Sequence, residues 1–234
     1  MEQIYTIPVN EAFDKSAASP ECGCPFCTLY KKLQDDNIEI ILGASMMEPD
    51  LRIKTNKLGF CAEHYNMMFN RKNRLGLALM LESHLDELRG DIGKKAISLA
   101  PAGDNARKRL DELEKSCYVC ERIDFSLSKM FVTSLVLYEK DGEFVKKFRA
   151  QPYFCLKHFN RLTSLSKAKL PKSLYSSFYD DASKIVFDYM DSLRGDVKHF
   201  IKKFDYRYED EPWGNSKDSV ERAIKFLGGD SSEQ

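Results

Sequence analysis

The chain has 234 residues, of which 43% are hydrophobic and 31% are charged, the composition of an ordinary globular protein with one large or two small domains. Lysine plus arginine equals aspartate plus glutamate, 36 each, so net charge gives no overall attraction to nucleic acid or anionic membranes. No apolar run approaches the roughly 20 residues that cross a bilayer, and the N-terminus lacks the pattern of a secretory signal. We therefore expect a cytoplasmic protein that does not enter the membrane and whose thiols stay reduced.

Six of the seven cysteines fall into two motifs that each occur twice. Cys24-Pro25-Phe26-Cys27 is followed, after 33 residues, by Cys61-Ala62-Glu63-His64. Cys117-Tyr118-Val119-Cys120 is followed, after 34 residues, by Cys155-Leu156-Lys157-His158. The same order at nearly the same separation indicates an internal duplication.

The duplication extends to a tail that contains Arg-Gly-Asp in both halves, at Leu85–Ile92 and Met190–Val197. The offset between the halves grows from 93 at the first motif to 105 at the tail, which indicates an insertion near Pro171. The predicted organisation has five segments: an N-terminal extension (1–19), helical repeat 1 (20–99), a linker with a short helix (100–116), helical repeat 2 (117–204) and a C-terminal segment (205–234).

The first half reads as helical. Apolar residues recur at helical spacing after Cys27, and Met46–Asp50 resembles the end of that helix. An irregular, polar stretch then leads to Cys61. A second helix is predicted from about Ala62 towards Arg89, with a break near Lys72-Asn73.

The second half repeats this pattern. A helix follows Cys120 and stops near Asp141-Gly142, although the β-forming residues around Glu139–Glu143 leave a short β-hairpin as the alternative. A helix from Cys155 stops before Pro171, and another runs from Tyr175 to Lys203. Short helices are expected after a loop at Ala100–Gly103 and near the C-terminus, at about 217–227. The predicted fold is all-α, with two tandem repeats related by a pseudo-twofold axis.

Thiolate and imidazole are the ligands that zinc prefers, and four of them complete a tetrahedral site. Residues three apart share a helix face, so each motif can direct two donors at one ion. We predict one Cys3His site in each half, formed by Cys24, Cys27, Cys61 and His64 and by Cys117, Cys120, Cys155 and His158. Two zinc ions per chain are expected, with iron or an iron–sulfur cluster as the alternative.

Cys24-Pro25-Phe26-Cys27 also resembles the active-site loop of thioredoxin-like oxidoreductases, in which a helix N-terminus stabilises a thiolate. That fold needs alternating strands and helices, which the pattern lacks. Cys22 has no counterpart in the second half, so it is expected to be a free thiol beside the metal, where a zinc-release redox switch is conceivable. His84 and His199 are interpreted as packed or surface residues with no catalytic role.

Several further segments carry a resemblance to a known family: Ile4–Phe13, Cys24–Cys27, Met47–Asp50, Asn56–His64 and Glu211–Gly214. Together they resemble a bacterial family of unknown function that is common in anaerobic Gram-positive bacteria. The resemblance covers nearly the whole chain. It implies a bacterial cytoplasmic protein and brings no activity with it.

The function predicted from the sequence is a zinc-binding helical scaffold or regulatory binding protein with structural metals, more in keeping with a non-enzyme than an enzyme. The alternative is a thiol-based redox enzyme or zinc-release switch centred on Cys22, Cys24 and Cys27. A protein partner is compatible with the first interpretation, and a nucleic-acid partner is disfavoured by the balanced charge.

Overall fold

The computed structural model describes residues 3–93 and 103–229, and within these ranges every regular element is a helix. The predicted all-α fold is confirmed. The alternative hairpin at Glu139–Glu143 is instead a junction between two helices at Asp141, whose carboxylate accepts hydrogen bonds from the backbone of Glu143 and Phe144. The predicted loop at Ala100–Gly103 lies largely outside the described residues.

Eleven α-helices are present in the described ranges: α1 (Thr6–Ala18), α2 (Pro25–Leu42), α3 (Pro49–Leu58), α4 (Ala62–Asn70), α5 (Arg74–Gly93), α6 (Asp104–Glu114), α7 (Tyr118–Lys140), α8 (Gly142–Arg149), α9 (Leu156–Lys169), α10 (Lys172–Lys202) and α11 (Ser219–Gly228). Single turns of 3-10 helix join several of them. No described helix is long and apolar enough to span a lipid bilayer.

The breaks predicted inside the two long helical regions are confirmed. The first region divides into α4 and α5 at residues 71–73, where the Asn73 side chain accepts a hydrogen bond from the Gly76 amide and begins α5. The second divides into α9 and α10 at Pro171, whose ring cannot continue a helix from the preceding residues.

The irregular stretches predicted before each Cys-x-x-His are wrong, because both are helical. Pro49 stands in the first turn of α3, where the backbone N–H that proline lacks would have no partner within the helix. The segment Met46–Asp50 therefore contains the start of α3 as well as the end of the preceding helical turn. Gly59 ends α3 with a φ of 60°. In the second half, α8 begins at the Asp141 cap and buries Phe144 and Phe148.

The chain divides into two compact units. Unit 1 comprises Met1–Lys31 and Leu127–Gln234, and unit 2 comprises Lys32–Ser126. Both boundaries fall inside helices, the first in α2 and the second in α7. Each unit is therefore assembled from parts of both sequence halves.

The core of unit 1 is built largely from phenylalanine. Phe13 contacts Phe26 edge to face at 5.6 Å between ring centroids, and Phe26 stacks on Phe131 at 3.9 Å. Eight phenylalanine rings of this unit are fully buried: Phe13, Phe26, Phe131, Phe144, Phe148, Phe154, Phe178 and Phe226. Burying a ring of this size contributes roughly 1.5–3 kcal/mol, so these side chains dominate the stability of the unit.

The core of unit 2 is aliphatic. It contains Ile38, Ile41, Met68, Leu77 and Met80, all nearly inaccessible to solvent. Helix α5 packs against α3 on one side and against α6 on another. These contacts fix α3, whose end leads through Gly59 and Phe60 to Cys61.

The glycines of the two Arg-Gly-Asp sequences lie in α5 and α10. A Cβ atom added at Gly90 or Gly195 would meet no described atom within 4 Å. Neither glycine is therefore packed closely against a neighbouring described residue.

Candidate metal centres

Four donor atoms converge in unit 1 at the N-termini of α2 and α9. His158 Nδ1 lies 3.5 Å from Cys24 Sγ, 3.5 Å from Cys27 Sγ and 3.3 Å from Cys155 Sγ. The Cys27 and Cys155 sulfurs are 3.7 Å apart. We call this group the unit 1 centre.

The other four donors converge in unit 2 at the N-termini of α4 and α7. His64 Nδ1 lies 3.1 Å from Cys61 Sγ, 3.3 Å from Cys117 Sγ and 3.5 Å from Cys120 Sγ. The Cys61 and Cys120 sulfurs are 3.9 Å apart. We call this group the unit 2 centre.

These separations fit one tetrahedral ion in each centre. With zinc–sulfur and zinc–nitrogen bonds of about 2.3 and 2.0 Å, tetrahedral angles place sulfurs about 3.8 Å apart and a sulfur about 3.5 Å from a nitrogen. The observed distances lie close to both values, and all donors of a centre lie within 4.8 Å of one another. The donor set therefore fits a single four-coordinate metal ion.

The grouping of the donors differs from the one predicted from the sequence. The predicted sites within repeats 20–99 and 117–204 are wrong. Cys24 and Cys27 meet Cys155 and His158, whereas Cys61 and His64 meet Cys117 and Cys120. The cause is topological: each helix that follows a Cys-x-x-Cys crosses from one unit into the other.

Every motif lies at a helix N-terminus, which places its donors side by side. Cys61 and Cys155 are the residues that immediately precede α4 and α9, and each accepts the first hydrogen bond of its helix through its carbonyl oxygen. Each centre thus faces the positive ends of two helix dipoles. Three thiolates around a divalent cation carry one net negative charge, which these helix ends stabilise.

The thiols of the two centres have altered pKa values. Burial raises the pKa of the Cys24 thiol well above its ordinary value of 9.0. In the unit 2 centre, the hydrogen bond from Cys120 lowers the pKa of Cys117 to about 3, while the same bond raises the pKa of Cys120. A cation that needs three thiolates must therefore displace protons on binding.

The unit 1 centre is enclosed by aromatic side chains. The His158 ring lies 5.8 Å from the ring of Phe26 and 5.6 Å from that of Phe131. Tyr153, two residues before Cys155, is also buried, and its pKa is raised by burial and then by the neighbouring Tyr189. An apolar shell of this kind excludes water from the ligand atoms.

The unit 2 centre has a polar neighbour in place of this shell. The side-chain amide of Gln34 lies 3.2 Å from His64 Nε2, and its nitrogen donates to Glu63 at 2.9 Å. A metal bound at Nδ1 leaves the imidazole proton on Nε2, so the amide must then turn its oxygen towards that nitrogen. The position equivalent to Gln34 in the second half, seven residues after the second cysteine, is the buried Leu127.

Both units share an aspartate–arginine pair that was not predicted from the sequence. Asp91 accepts a hydrogen bond from Arg109 Nε at 3.1 Å, and Asp196 accepts one from Arg222 Nη2 at 2.9 Å. Both aspartates belong to the Arg-Gly-Asp tails, and both arginines lie on the next α-helix along the chain, α6 and α11. The repeated aspartate was the available signal, and the structure gives it a role in holding that helix.

One turn after these arginines, each of the two short helices places an apolar side chain beside its own centre. Leu113, four residues after Arg109, lies against Gly59, and Phe226, four residues after Arg222, packs 6.0 Å from Tyr153. Gly59 and Tyr153 each precede a ligand cysteine by two residues. The linker helix and the C-terminal helix thus occupy equivalent places beside their centres.

The model of the Family of unknown function (DUF6062) matches residues 1–234. The chain belongs to this family. No curated protein and no solved structure matches it. Membership in DUF6062 assigns no activity to the chain.

The remaining residues singled out from the sequence lie outside both centres. Cys22 is half-buried and belongs to neither donor group. His84 is buried, and its Nδ1 donates to the Asn56 carbonyl at 2.9 Å. His199 Nε2 donates to the Pro212 carbonyl at 3.0 Å. The two histidines make the packing and surface contacts expected of them.

Proposed function

We propose that this protein is a zinc-binding helical scaffold in which one structural zinc ion closes each unit. The observation that carries the proposal is the separation of the four donors in each centre, which suits a tetrahedral ion. The proposed ligands are Cys24, Cys27, Cys155 and His158 in unit 1 and Cys61, His64, Cys117 and Cys120 in unit 2.

A structural role is favoured over a catalytic one because the protein supplies all four ligands. Catalytic zinc keeps one position for water or substrate, whereas structural sites are closed. Each ion would join two helix N-termini that are distant in sequence, as Cys27 and Cys155 are in unit 1. The metal would thus contribute directly to the free energy of folding.

Zinc is favoured over iron on two grounds. Cys3His is a common structural zinc donor set, and imidazole together with thiolate suits this metal. An iron–sulfur cluster contains several metal atoms and holds its ligands farther apart than a single ion does. Donor atoms within 4.8 Å of one another therefore favour a mononuclear ion.

The alternative of a thiol-based redox enzyme receives little support from the geometry. Cys24 and Cys27 are only 1% and 6% exposed, and a catalytic thiolate must be reached by its substrate. We propose that the two halves of the sequence derive from one duplicated repeat. We also propose that the protein acts by presenting its helical surface to a protein partner in the reducing cytoplasm.

Metal analysis of protein purified without added metal tests this proposal. We expect about two zinc ions per chain, and a fall in thermal stability when a strong chelator removes them. A chain that contains no metal and carries a Cys24–Cys27 disulfide would contradict the scaffold and favour the redox enzyme. Absorbance in the visible range would contradict zinc and favour iron.

A further inference from the structure

The two centres differ in their access to solvent. In the unit 1 centre all four ligands are buried, and Cys155 is fully inaccessible. In the unit 2 centre His64 and Cys117 are buried, whereas Cys61 and Cys120 are half-exposed. Two cysteine ligands of the unit 2 centre are therefore partly exposed to solvent, whereas the three cysteine ligands of the unit 1 centre are buried.

The difference follows from the residues that cover each centre. In unit 1 the Tyr153 hydroxyl lies against Gly23, beside Cys24, so closely that an added Cβ on Gly23 would be 2.6 Å from it. The Tyr153 ring stacks on Tyr189 at 4.2 Å. Tyrosine and its stacked partner thus form an aromatic cover next to the ligands.

Among the described residues of unit 2, no such aromatic cover lies at the equivalent place. The residue two before Cys61 is Gly59, which has no side chain, and the space beside it is filled by Leu113 and His84. The position of Tyr189, one residue before Met190 in the tail, corresponds to His84, one residue before Leu85. The cover of unit 1 is therefore replaced by smaller groups in unit 2.

We propose that the unit 2 centre is the exchangeable and oxidisable site of the protein, where a peroxide converts Cys61 and Cys120 into a disulfide and releases the metal. The inference rests on the proposed metal binding and adds a site of modification to it. The two sulfurs are already 3.9 Å apart, and both residues are partly exposed to solvent. The unit 1 centre keeps its metal under the same conditions.

The chemistry balances with hydrogen peroxide as the oxidant. One of the two thiolates attacks a peroxide oxygen, the O–O bond breaks, and with one proton the products are a sulfenic acid and water. The other thiolate attacks the sulfenic sulfur, the S–O bond breaks, and a second proton completes a second water. Two electrons pass from the sulfurs to the peroxide, and the metal loses two of its four ligands.

The test treats the zinc-loaded full-length protein with hydrogen peroxide and follows the released zinc with a chromogenic chelator. Differential alkylation and mass spectrometry then locate the oxidised cysteines. We expect one of the two zinc ions to leave, a disulfide between Cys61 and Cys120, and continued protection of Cys24, Cys27 and Cys155. Loss of both ions together, or first oxidation of the buried sulfurs, would overturn the inference.

Three variants make the outcome specific. Cys22→Ser removes the partly exposed thiol that is nearest in sequence to the unit 1 ligands, and we expect it to leave the release unchanged. Abolished release would place the switch in unit 1 instead. Tyr153→Gly removes the aromatic cover, and we expect the second zinc ion to become releasable, whereas Tyr153→Phe keeps the cover and the ion. Circular dichroism before oxidation establishes that each variant is folded.

The starting metal content separates the two proposals. Protein that contains about two zinc ions and loses both at the same rate refutes the difference between the centres and leaves the scaffold intact. Protein that contains no metal before oxidation refutes the scaffold and, with it, the release.

Discussion

Cys24 Sγ lies 3.5 Å from His158 Nδ1 although 134 residues separate the two, and the histidine of its own half, His64, serves the other centre. Because each centre combines ligands from both halves of the sequence, this grouping predicts which pairs of ligand substitutions affect the same ion. The double variant Cys24→Ser/His158→Ala removes two ligands from one centre and is expected to keep one zinc ion. Cys24→Ser/His64→Ala damages both centres and is expected to keep none.

Zinc stoichiometry after dialysis measures both outcomes, and Cys22→Ser is the matched control that should retain two ions. If Cys24→Ser/His64→Ala instead keeps one ion, the ligands are grouped within each half.

A second prediction concerns Gln34, whose amide faces His64 Nε2. Gln34→Leu introduces the residue found at the equivalent position of the other helix, Leu127, and removes the hydrogen-bond partner of the imidazole. Loss of such a partner lowers metal affinity by roughly 10–100-fold. Competition with a chelator of known affinity should show this loss for one of the two zinc ions.

Gln34→Glu supplies the control, because a carboxylate accepts a hydrogen bond from the Nε2–H group of His64. It is expected to hold zinc more tightly than Gln34→Leu does. Equal affinities in the two variants would show that Gln34 does not orient His64.

The backbone at Gly23 predicts a large effect of a single methyl group. Its φ of 74° and ψ of −145° lie in a region that glycine alone adopts freely, and an added Cβ would meet the Tyr153 hydroxyl at 2.6 Å. Gly23→Ala should destabilise the protein by about 1–3 kcal/mol from the backbone alone. Denaturant unfolding measures the change.

Gly142→Ala provides the comparison, since Gly142 lies in α8 with no described atom within 4 Å of an added Cβ. Alanine is the better helix former, so this variant should gain up to about 1 kcal/mol. A loss of stability at Gly142 equal to that at Gly23 would contradict the argument.

The buried tyrosines predict a loss of stability at alkaline pH. Burial raises the pKa of Tyr138, Tyr153 and Tyr189 above the ordinary value of 10.0. A group whose pKa is raised by folding contributes stability that is fully present below its unfolded pKa and is lost as pH rises through its folded pKa. The free energy of unfolding should therefore fall above about pH 10.

Tyr153→Phe removes one of these ionisations, so its stability should fall less steeply than that of the wild type over the same range. Tyr206→Phe, at a side chain that is 85% exposed, should follow the wild-type curve. If the free energy of unfolding changes with pH in the same way for all three proteins, the ionisation of Tyr153 does not contribute to the loss of stability.

The aspartate–arginine pairs predict that removing a partly buried ion pair costs more stability than removing an exposed one. The side chains of Arg109 and Asp91 are 14% and 29% exposed, and Arg109 also donates to the Asn56 carbonyl. Arg109→Ala should cost about 1–3 kcal/mol, because it removes hydrogen bonds to a charged and a backbone acceptor. Lys184→Ala removes the exposed pair with Asp188 and should cost less than about 1 kcal/mol.

Urea denaturation of the two variants and the wild type at one pH would measure both losses of stability. A loss for Arg109→Ala no greater than that for Lys184→Ala would remove the role assigned to the repeated aspartate.

The all-helical fold could be predicted from the sequence because the signals are local. Apolar periodicity marked the long helices, and Pro171 and the Lys72-Asn73 pair marked two of their breaks. The stretches that became α3 and α8 were missed because they are short and polar at their start. Proline at the first turn of α3 was interpreted as the end of a preceding helix when it also begins the next one.

The eight candidate ligands were also predictable, whereas their grouping was not. Every Cys-x-x-Cys can meet either Cys-x-x-His, and the two choices are chemically identical. Helix lengths decide between them: the 18 residues of α2 carry the chain about 27 Å, and the ten residues of α3 return at most about 15 Å. Recognition of α3 as a helix would have shown that Cys61 does not return easily to Cys27.

The division of the chain into one continuous and one interrupted unit has a consequence for protein synthesis. All ligands of the unit 2 centre lie between Cys61 and Cys120, so this centre is complete once that segment has left the ribosome. Cys24 and Cys27 leave the ribosome earlier, but their centre is incomplete until Cys155 and His158 have also been synthesised. If the centres hold metal as proposed, the two ligand thiols that are translated first would be the last to complete their centre.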